Sequence, residues 1–215
     1  MINVKKNMWG FLFVILLTAS SYYFLDTRIA LFVYKILLSD ARLNFLSADV
    51  PDILFLIVCF ITLTALSVYF YLTHRGMYNV HARFFLLVAC SNPVTYFLKT
   101  ILKHAVGRIE TRYWLLHPTA QEFQWFHGQR NFASFPSGHM AISAALMAAL
   151  WEYYPRYRQA YIGFLVAAAL ALITTDYHFL SDIIAGAYLG AVVHMGTLNG
   201  LRVLAILPER NERFE

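Results

Sequence analysis

The chain has 215 residues, of which 60% are hydrophobic and only 13% are charged. Soluble domains carry about 25% charged residues, so this composition excludes an ordinary soluble domain and indicates an integral membrane protein. The formal net charge of +5 comes from basic residues that are spread over short loops, which gives no indication of nucleic-acid binding.

Six apolar stretches approach the length of about 20 residues that crosses a bilayer. We expect six transmembrane helices, at residues 8–25, 53–72, 84–103, 140–154, 161–175 and 181–201. Residues 27–40 are apolar but short and interrupted by charges, which predicts an interfacial helix. Residues 107–135 are the long polar stretch and are predicted to form an extramembrane loop. The sequence therefore predicts an all-α, polytopic helical bundle that forms a single domain over residues 1–215.

The distribution of basic residues predicts the orientation of this bundle. With the N-terminus in the cytoplasm, Lys5, Lys6, Arg156 and Arg158 all fall on the cytoplasmic side. Both termini are then cytoplasmic, and the loop 107–135 lies on the outer face, which is the periplasmic face of a bacterial inner membrane. The arginines of this loop depart from the positive-inside rule, which suggests that they have another role.

A helix start marks the end of the long loop, at Pro136-Ser137-Gly138-His139. Proline is disfavoured in a helix interior and serine is a good N-cap, so we expect a helix to begin here. The unpaired N–H groups of a helix N-terminus bind anions, and His139 would place an imidazole beside such an anion. The same residues could also do no more than start a helix at the membrane interface.

Two further polar clusters fall on the same predicted face. Lys103 and Arg108 follow the third apolar stretch, and His178 and Asp182 precede and begin the sixth. His178 and Asp182 are four residues apart, so they share a helix face, and a carboxylate there can fix the tautomer of an imidazole. Cations, a helix N-terminus and two histidines are the groups that phosphoryl transfer requires.

In this order, Lys103-x-x-x-Gly107-Arg108, Pro136-Ser137-Gly138-His139 and His178-x-x-x-Asp182 resemble the type 2 phosphatidic acid phosphatase superfamily. The resemblance implies a six-helix membrane phosphatase that acts on lipid phosphates or diphosphates and uses no metal or other cofactor.

The resemblance also implies a role for each motif residue. His178 would be the nucleophile that forms a phosphohistidine, Asp182 would orient it, and His139 would be the general acid for the leaving group. Lys103, Ser137 and the N–H group of Gly138 would hold the substrate phosphate.

Two positions depart from the usual family pattern. The first motif usually has a second arginine where this chain has Glu110, and the third motif usually has an arginine where it has Leu172. Arg108 remains, and we expect Arg112 or Arg130 of the long loop to complete the phosphate site. On this interpretation, Arg112→Ala should reduce activity almost as much as Arg108→Ala.

The substrate class stays open between polyprenyl diphosphate, phosphatidylglycerophosphate, phosphatidate and lipid A phosphates. Two alternative functions are a lipid phosphotransferase and a non-catalytic membrane scaffold.

The aromatic residues at 113–127 predict either a lid over the site or an aromatic belt at the membrane surface. His117 and His127 lack companion ligands, so no metal site is predicted. Asp176 is either a helix-end contact or a second carboxylate of the site. The oligomeric state is not predicted.

Overall fold

The computed structural model describes residues 4–37, 50–126, 131–204 and 206. These residues are mainly helical, and no β-strand occurs among them, so the predicted all-helical fold is confirmed. In chain order the helices are α1 (Val4–Ser21), α2 (Thr27–Leu37), α3 (Val50–His74), α4 (Val80–Val106), α5 (Thr111–Leu116), α6 (Gly138–Tyr153), α7 (Arg158–Thr174) and α8 (Leu180–Val203).

The first two helices form one continuous run, joined by a π-helical segment at Tyr22–Asp26. A single candidate membrane span covers Met8–Ile36, so the first span is longer than the predicted 8–25. The predicted interfacial helix at 27–40 continues this span, because no glycine or proline interrupts the chain there. Residues 38–40 lie outside the described part of the chain.

Five helical segments of the described chain are long and apolar enough to cross a membrane: Met8–Ile36, Leu56–His74, Val80–Val106, Pro155–Thr174 and Leu180–Val203. The predicted span at 140–154 corresponds to α6, which has 16 residues and a length of about 24 Å. This shorter helix packs against α4, α7 and α8 and buries Ala141, Ala145 and Ala149 completely. It is therefore enclosed by other helices along much of its length.

The contact between α6 and α8 brings backbone against backbone. A Cβ atom added at Gly186 would lie 2.4 Å from the carbonyl oxygen of Ser137, and one at Gly190 would lie 2.0 Å from that of Ala141. Any side chain at these two positions would push the helices apart, and small residues spaced in this way suit close helix packing. His139 and Asp182 consequently lie at the same end of the bundle.

The long polar stretch folds back over this end. Helix α4 ends at Gly107, which has a left-handed φ of 56° and whose added Cβ would lie 1.9 Å from the carbonyl oxygen of Gln124. Only glycine fits such a turn. The chain then pairs Arg108 with Phe123 in an isolated antiparallel bridge and forms α5. A buried cluster of Ala30, Ile109, Phe132 and Phe179 fixes this segment against α2 and the start of α8.

Candidate active site

The two motif histidines lie next to each other where α6 and α8 begin. The ring centroids of His139 and His178 are 6.1 Å apart, and the Tyr177 ring contacts both of them in edge-on geometry. Lys103, at the end of α4, is close enough for its charge to act on His178. The residues predicted from the three motifs are therefore brought together.

The N-terminus of α6 is capped as predicted. The Ser137 side chain accepts a 3.4 Å hydrogen bond from the N–H of Met140, and the Ser137 N–H donates to the carbonyl oxygen of Asp182 at 3.0 Å. The first intrahelical hydrogen bond runs from Ala141 to Ser137, so the N–H groups of Gly138 and His139 precede the hydrogen-bonded ladder. Such groups, together with the helix dipole, form an anion-binding end.

Asp182 holds His178 through an intervening hydroxyl group. The closest approach of the Asp182 carboxylate to Nδ1 of His178 is 3.8 Å, which is too long for a hydrogen bond. The Ser134 hydroxyl donates to Asp182 at 2.6 Å and lies 3.3 Å from Nδ1 of His178. Because that hydroxyl proton is directed to Asp182, the Ser134 oxygen is left to accept the Nδ1 proton of the imidazole. This relay fixes the tautomer with a lone pair on Nε2.

The remaining nitrogen of His178 is available for chemistry. His178 is 4% exposed, and its Nε2 has no hydrogen-bond partner in the described part of the chain. Burial lowers the pKa of this imidazole, with Lys103 and Arg108 contributing in the same direction and Asp182 opposing them. The ring is therefore neutral near pH 7, which is the form that a nucleophile needs.

Arg108 is buried and pairs with Asp182, the carboxylate that is linked to Nδ1 of His178 through Ser134. Its Nη1 donates to Asp182 at 2.5 Å and its Nη2 donates to Asp26 at 2.7 Å, while the Phe179 ring covers the guanidinium at 4.4 Å. Burial opposes the charge, but Asp182 and Asp26 outweigh burial and raise the pKa of Arg108. Both ends of the guanidinium thus contact buried carboxylates. Contact between Arg108 and substrate phosphate stays a prediction.

Arg112 lies at the edge of the site. Its Nε and Nη2 donate to the carbonyl oxygen of Thr175 at 3.1 and 2.6 Å, and its guanidinium is 5.9 Å from the Tyr177 ring. Its contact with substrate stays a prediction. Arg130, the alternative candidate, and His127 lie outside the described residues.

Asp176 is buried just before the Tyr177-His178 pair. It has a left-handed φ of 49°, and neither carboxylate oxygen has a hydrogen-bond partner within residues 4–37, 50–126 and 131–204. Burial raises the pKa of Asp176 to about 6, and the charge of Arg112 opposes this shift. Asp176 therefore takes up a proton at a higher pH than an exposed carboxylate does.

A second lysine, Lys99, faces the helix start and was missed by the sequence interpretation. Lys99 lies one turn before Lys103 on α4. Its Cδ and Nζ are 3.2 and 3.7 Å from the position that a Cβ on Gly138 would occupy. A charged side chain inside an apolar stretch is costly and usually functional, and this signal was present in the sequence. The ammonium group of Lys99 thus approaches the N-terminus of α6, and Lys103 lies on the same face of α4.

An apolar groove opens beside the site, between α1, α4 and α8. It has a volume of about 650 Å³, and its lining includes Phe11, Ile15, Leu102, Val106 and Leu189. Pro136 and Ser181 form part of the same lining. The groove therefore reaches the first residue of the helix-start motif and the residue before Asp182.

The fold and this constellation define a class of helical membrane protein that gathers two histidines, lysine side chains and a helix N-terminus at one end of its bundle. Residues 82–203, more than half of the chain, match the family model of the PAP2 superfamily. The chain belongs to the PAP2 superfamily, and the predicted resemblance is confirmed. It is an integral membrane protein.

Two curated relatives match a shorter segment. The chain is 36% identical over 95 residues to a lipid A 1-phosphatase of Rhizobium johnstonii, covering 44% of this chain and 38% of the relative. It is 35% identical over 94 residues to a lipid A 1-phosphatase of Rhizobium etli, covering 43% and 40%. The matched segment thus spans well under half of each relative's length. No solved structure matches the chain.

Proposed function

We propose that this protein is a metal-independent phosphatase that hydrolyses a lipid phosphate or diphosphate through a phosphohistidine on His178. The observation that carries the proposal is the position of the unbonded Nε2 of His178 beside His139 and the N-terminus of α6. Membership of the PAP2 superfamily supports the same reaction class. Within the described residues, no group of three or more His, Cys, Asp or Glu side chains is placed to hold a metal ion.

The proposed reaction has two steps. In the first, Nε2 of His178 attacks phosphorus, the bond to the leaving oxygen breaks, and His139 gives that oxygen a proton. In the second, His139 takes a proton from water, the oxygen of that water attacks phosphorus, and the phosphorus–nitrogen bond breaks. Inorganic phosphate leaves, and both histidines return to their starting forms. The Ser134–Asp182 relay stabilises the positive charge that His178 carries as a phosphohistidine.

The positive charge around the phosphate comes, on this proposal, from Lys99 and Lys103 in place of the two missing motif arginines. Both lysines lie on the face of α4 that is turned to the helix start. Lysine acts as a point charge and cannot form the bidentate contact of arginine, so the N–H groups of Gly138 and His139 complete the coordination of the phosphate oxygens.

We expect Lys99→Ala to lower kcat/KM for a lipid phosphate by about 10²-fold, because a phosphate oxygen loses a charged contact in a partly buried site. Lys99→Arg should recover a substantial part of this loss, since it keeps the charge. Steady-state phosphate release checks both variants. A Lys99→Ala protein with the wild-type kcat/KM would exclude a phosphate-binding role for Lys99.

The lipid nature of the substrate is supported by the apolar groove, which has room for an acyl chain next to Pro136 and Ser181. The two relatives are named for lipid A 1-phosphate, so we propose this lipid as the first candidate.

We further propose that the site faces the outer side of an inner membrane, with both termini cytoplasmic. The short basic segments containing Lys5, Lys6, Arg156 and Arg158 support this orientation.

Phosphate release across a panel of lipids tests the function. The panel contains lipid A 1-phosphate, phosphatidate, phosphatidylglycerophosphate, polyprenyl diphosphate and a water-soluble phosphate ester, all in detergent micelles. We expect at least one lipid to exceed the soluble ester by about tenfold or more in kcat/KM, since the lipid shares the micelle with the protein. His178→Ala protein provides the background.

Two outcomes would contradict the proposal. Wild-type protein that releases no more phosphate than His178→Ala from any lipid would exclude a phosphatase. Label that passes from the lipid to an added acceptor lipid, without free phosphate, would indicate a transferase. The side of the membrane is read with the soluble ester on intact spheroplasts, where an inward-facing site gives no hydrolysis.

A further inference from the structure

Asp26 on the first membrane helix is joined to the active site by a set of buried hydrogen bonds. It is 2% exposed and ends the π-helical segment between α1 and α2. Its carboxylate accepts from the Ser21 hydroxyl at 3.1 Å, the Ser181 N–H at 3.0 Å, the Ser181 hydroxyl, and Nη2 of Arg108 at 2.7 Å. Four donors, one of them a guanidinium, therefore satisfy this buried carboxylate.

The π-helical segment explains how Asp26 reaches the bundle interior. The residues before it, Tyr23, Phe24 and Leu25, are 76%, 61% and 44% exposed, whereas Asp26 is buried. The extra residue of a π-helical turn rotates the following side chain by about 100° relative to an α-helix, and such segments often occur at functional sites. The family match begins at residue 82, so this contribution comes from outside the matched segment.

The charges around Arg108 do not balance. One guanidinium is shared by two carboxylates, those of Asp26 and Asp182, so these three groups carry a formal net charge of −1, while the charge of Lys103 also acts on Asp182. A single Arg108–Asp182 pair would be neutral and would still connect the loop to α8. Burying a second carboxylate carries a large desolvation cost before pairing, so its presence calls for a role beyond tethering.

The surplus negative charge is directed toward His178. Asp182 reaches Nδ1 of that ring through the Ser134 hydroxyl. Among the described residues, the other groups that act on His178 are Lys103 and Arg108, which both disfavour an imidazolium, and the rings of His139 and Tyr177. Without Asp26, Arg108 would neutralise Asp182, and the positive charge on a phosphorylated His178 would lose its main counter-charge.

We propose that Asp26 is a positioning residue of the active site, which shares Arg108 with Asp182 and thereby keeps a negative charge available to His178. The role rests on the proposed phosphatase function. It adds the first membrane helix to the elements that the reaction requires.

The test replaces Asp26 by asparagine, which keeps the shape and removes the charge. The His178 ring is titrated by NMR of ¹⁵N-histidine-labelled protein in micelles, with the resonance assigned from the His178→Ala protein. We expect the pKa of His178 to fall by roughly one-half to one unit in Asp26→Asn, because a nearby negative charge is lost. In the lipid phosphate assay, kcat should fall about tenfold, KM should change less than twofold, and the acidic limb of kcat/KM should move to lower pH.

Glu122→Gln is the matched control. Glu122 is an exposed carboxylate in the same region; it hydrogen-bonds Tyr22 at 2.5 Å and makes no ion pair with Arg108. Its replacement should leave both the titration and kcat unchanged. If Asp26→Asn fails to fold, Ser181→Ala removes one donor to Asp26 without changing any charge. That protein should lose a few-fold in kcat while the His178 titration stays in place.

The outcomes separate the two proposals. Wild-type protein that releases no phosphate overturns the proposed function, while the NMR titration still decides the role of Asp26. Folded Asp26→Asn protein with an unshifted His178 titration, or a shift equal to that of Glu122→Gln, overturns the positioning role. Wild-type kcat in folded Ser181→Ala protein would count against it in the same way.

Discussion

Replacing His178 by alanine is expected to lower phosphate release by about 10⁴-fold or more, because the reaction loses its nucleophile. When wild-type protein is mixed with ³²P-labelled lipid phosphate and quenched at alkaline pH, at which phosphohistidine survives, label should be found on His178. The labelled peptide is identified by mass spectrometry. Label on another residue, or wild-type turnover by His178→Ala, would contradict the assignment.

His139→Ala provides the informative companion to this experiment. If His139 is the general acid, its loss should matter most for a lipid alkoxide, which needs a proton, and least for an ester whose leaving group is already acidic. With such an ester, His139→Ala should form the phosphohistidine and then accumulate it, since the second step lacks its base. Equal losses on both kinds of substrate would argue for a role of His139 in binding alone.

Replacing Arg108 by glutamine is expected to destabilise the protein by about 3–5 kcal/mol, because two buried carboxylates lose their shared partner. Activity should be lost together with stability. Thermal unfolding in micelles, followed by circular dichroism, checks the first part. The double variant Asp26→Asn/Arg108→Gln removes one charge of each sign and should recover part of the stability. An Arg108→Gln protein as stable as wild type would show that the pairing contributes little.

Arg108 and Arg112, which the sequence suggested for the same phosphate-binding role, should differ in their effect on stability. Arg112 is only half-buried and donates to the carbonyl oxygen of Thr175, so Arg112→Ala should change stability by no more than about 1 kcal/mol. The sequence motif alone does not show that a guanidinium pairs with buried carboxylates. For Arg108, the deciding partner is 82 residues away in the chain.

The parts of the site that lie on regular patterns could be predicted from the sequence. Ser137 and His139 follow from helix-capping chemistry, and His178 and Asp182 follow from helical spacing. Ser134 could not be predicted, because it sits in an irregular loop and acts only through its position between two side chains of another element. Lys99 was counted as part of an apolar stretch, although a charged residue inside such a stretch indicates a functional position.

The fold likewise has parts that the sequence predicted and parts that it did not. Apolar length predicted helices, but it placed a break after residue 25 where the chain stays helical, because charges at 26 and 28 suggested an interface. Asp26 is instead buried and paired with Arg108. This pairing joins residues that are far apart in the sequence, so no local pattern predicts it. The shortness of α6 has a related cause, since a helix enclosed by protein is not bound to match the bilayer.

The backbone contact between α6 and α8 has a consequence for how the protein responds to its surroundings. Gly186 and Gly190 place one helix directly on carbonyl oxygens of the other, so the gap between the two motif histidines is set by main-chain atoms deeper in the bundle. Side-chain rearrangement and pressure from the surrounding lipid should therefore change the distance between α6 and α8 very little. Turnover should therefore change little when the host bilayer becomes thicker or stiffer, as it does when an organism adjusts its acyl chains to temperature.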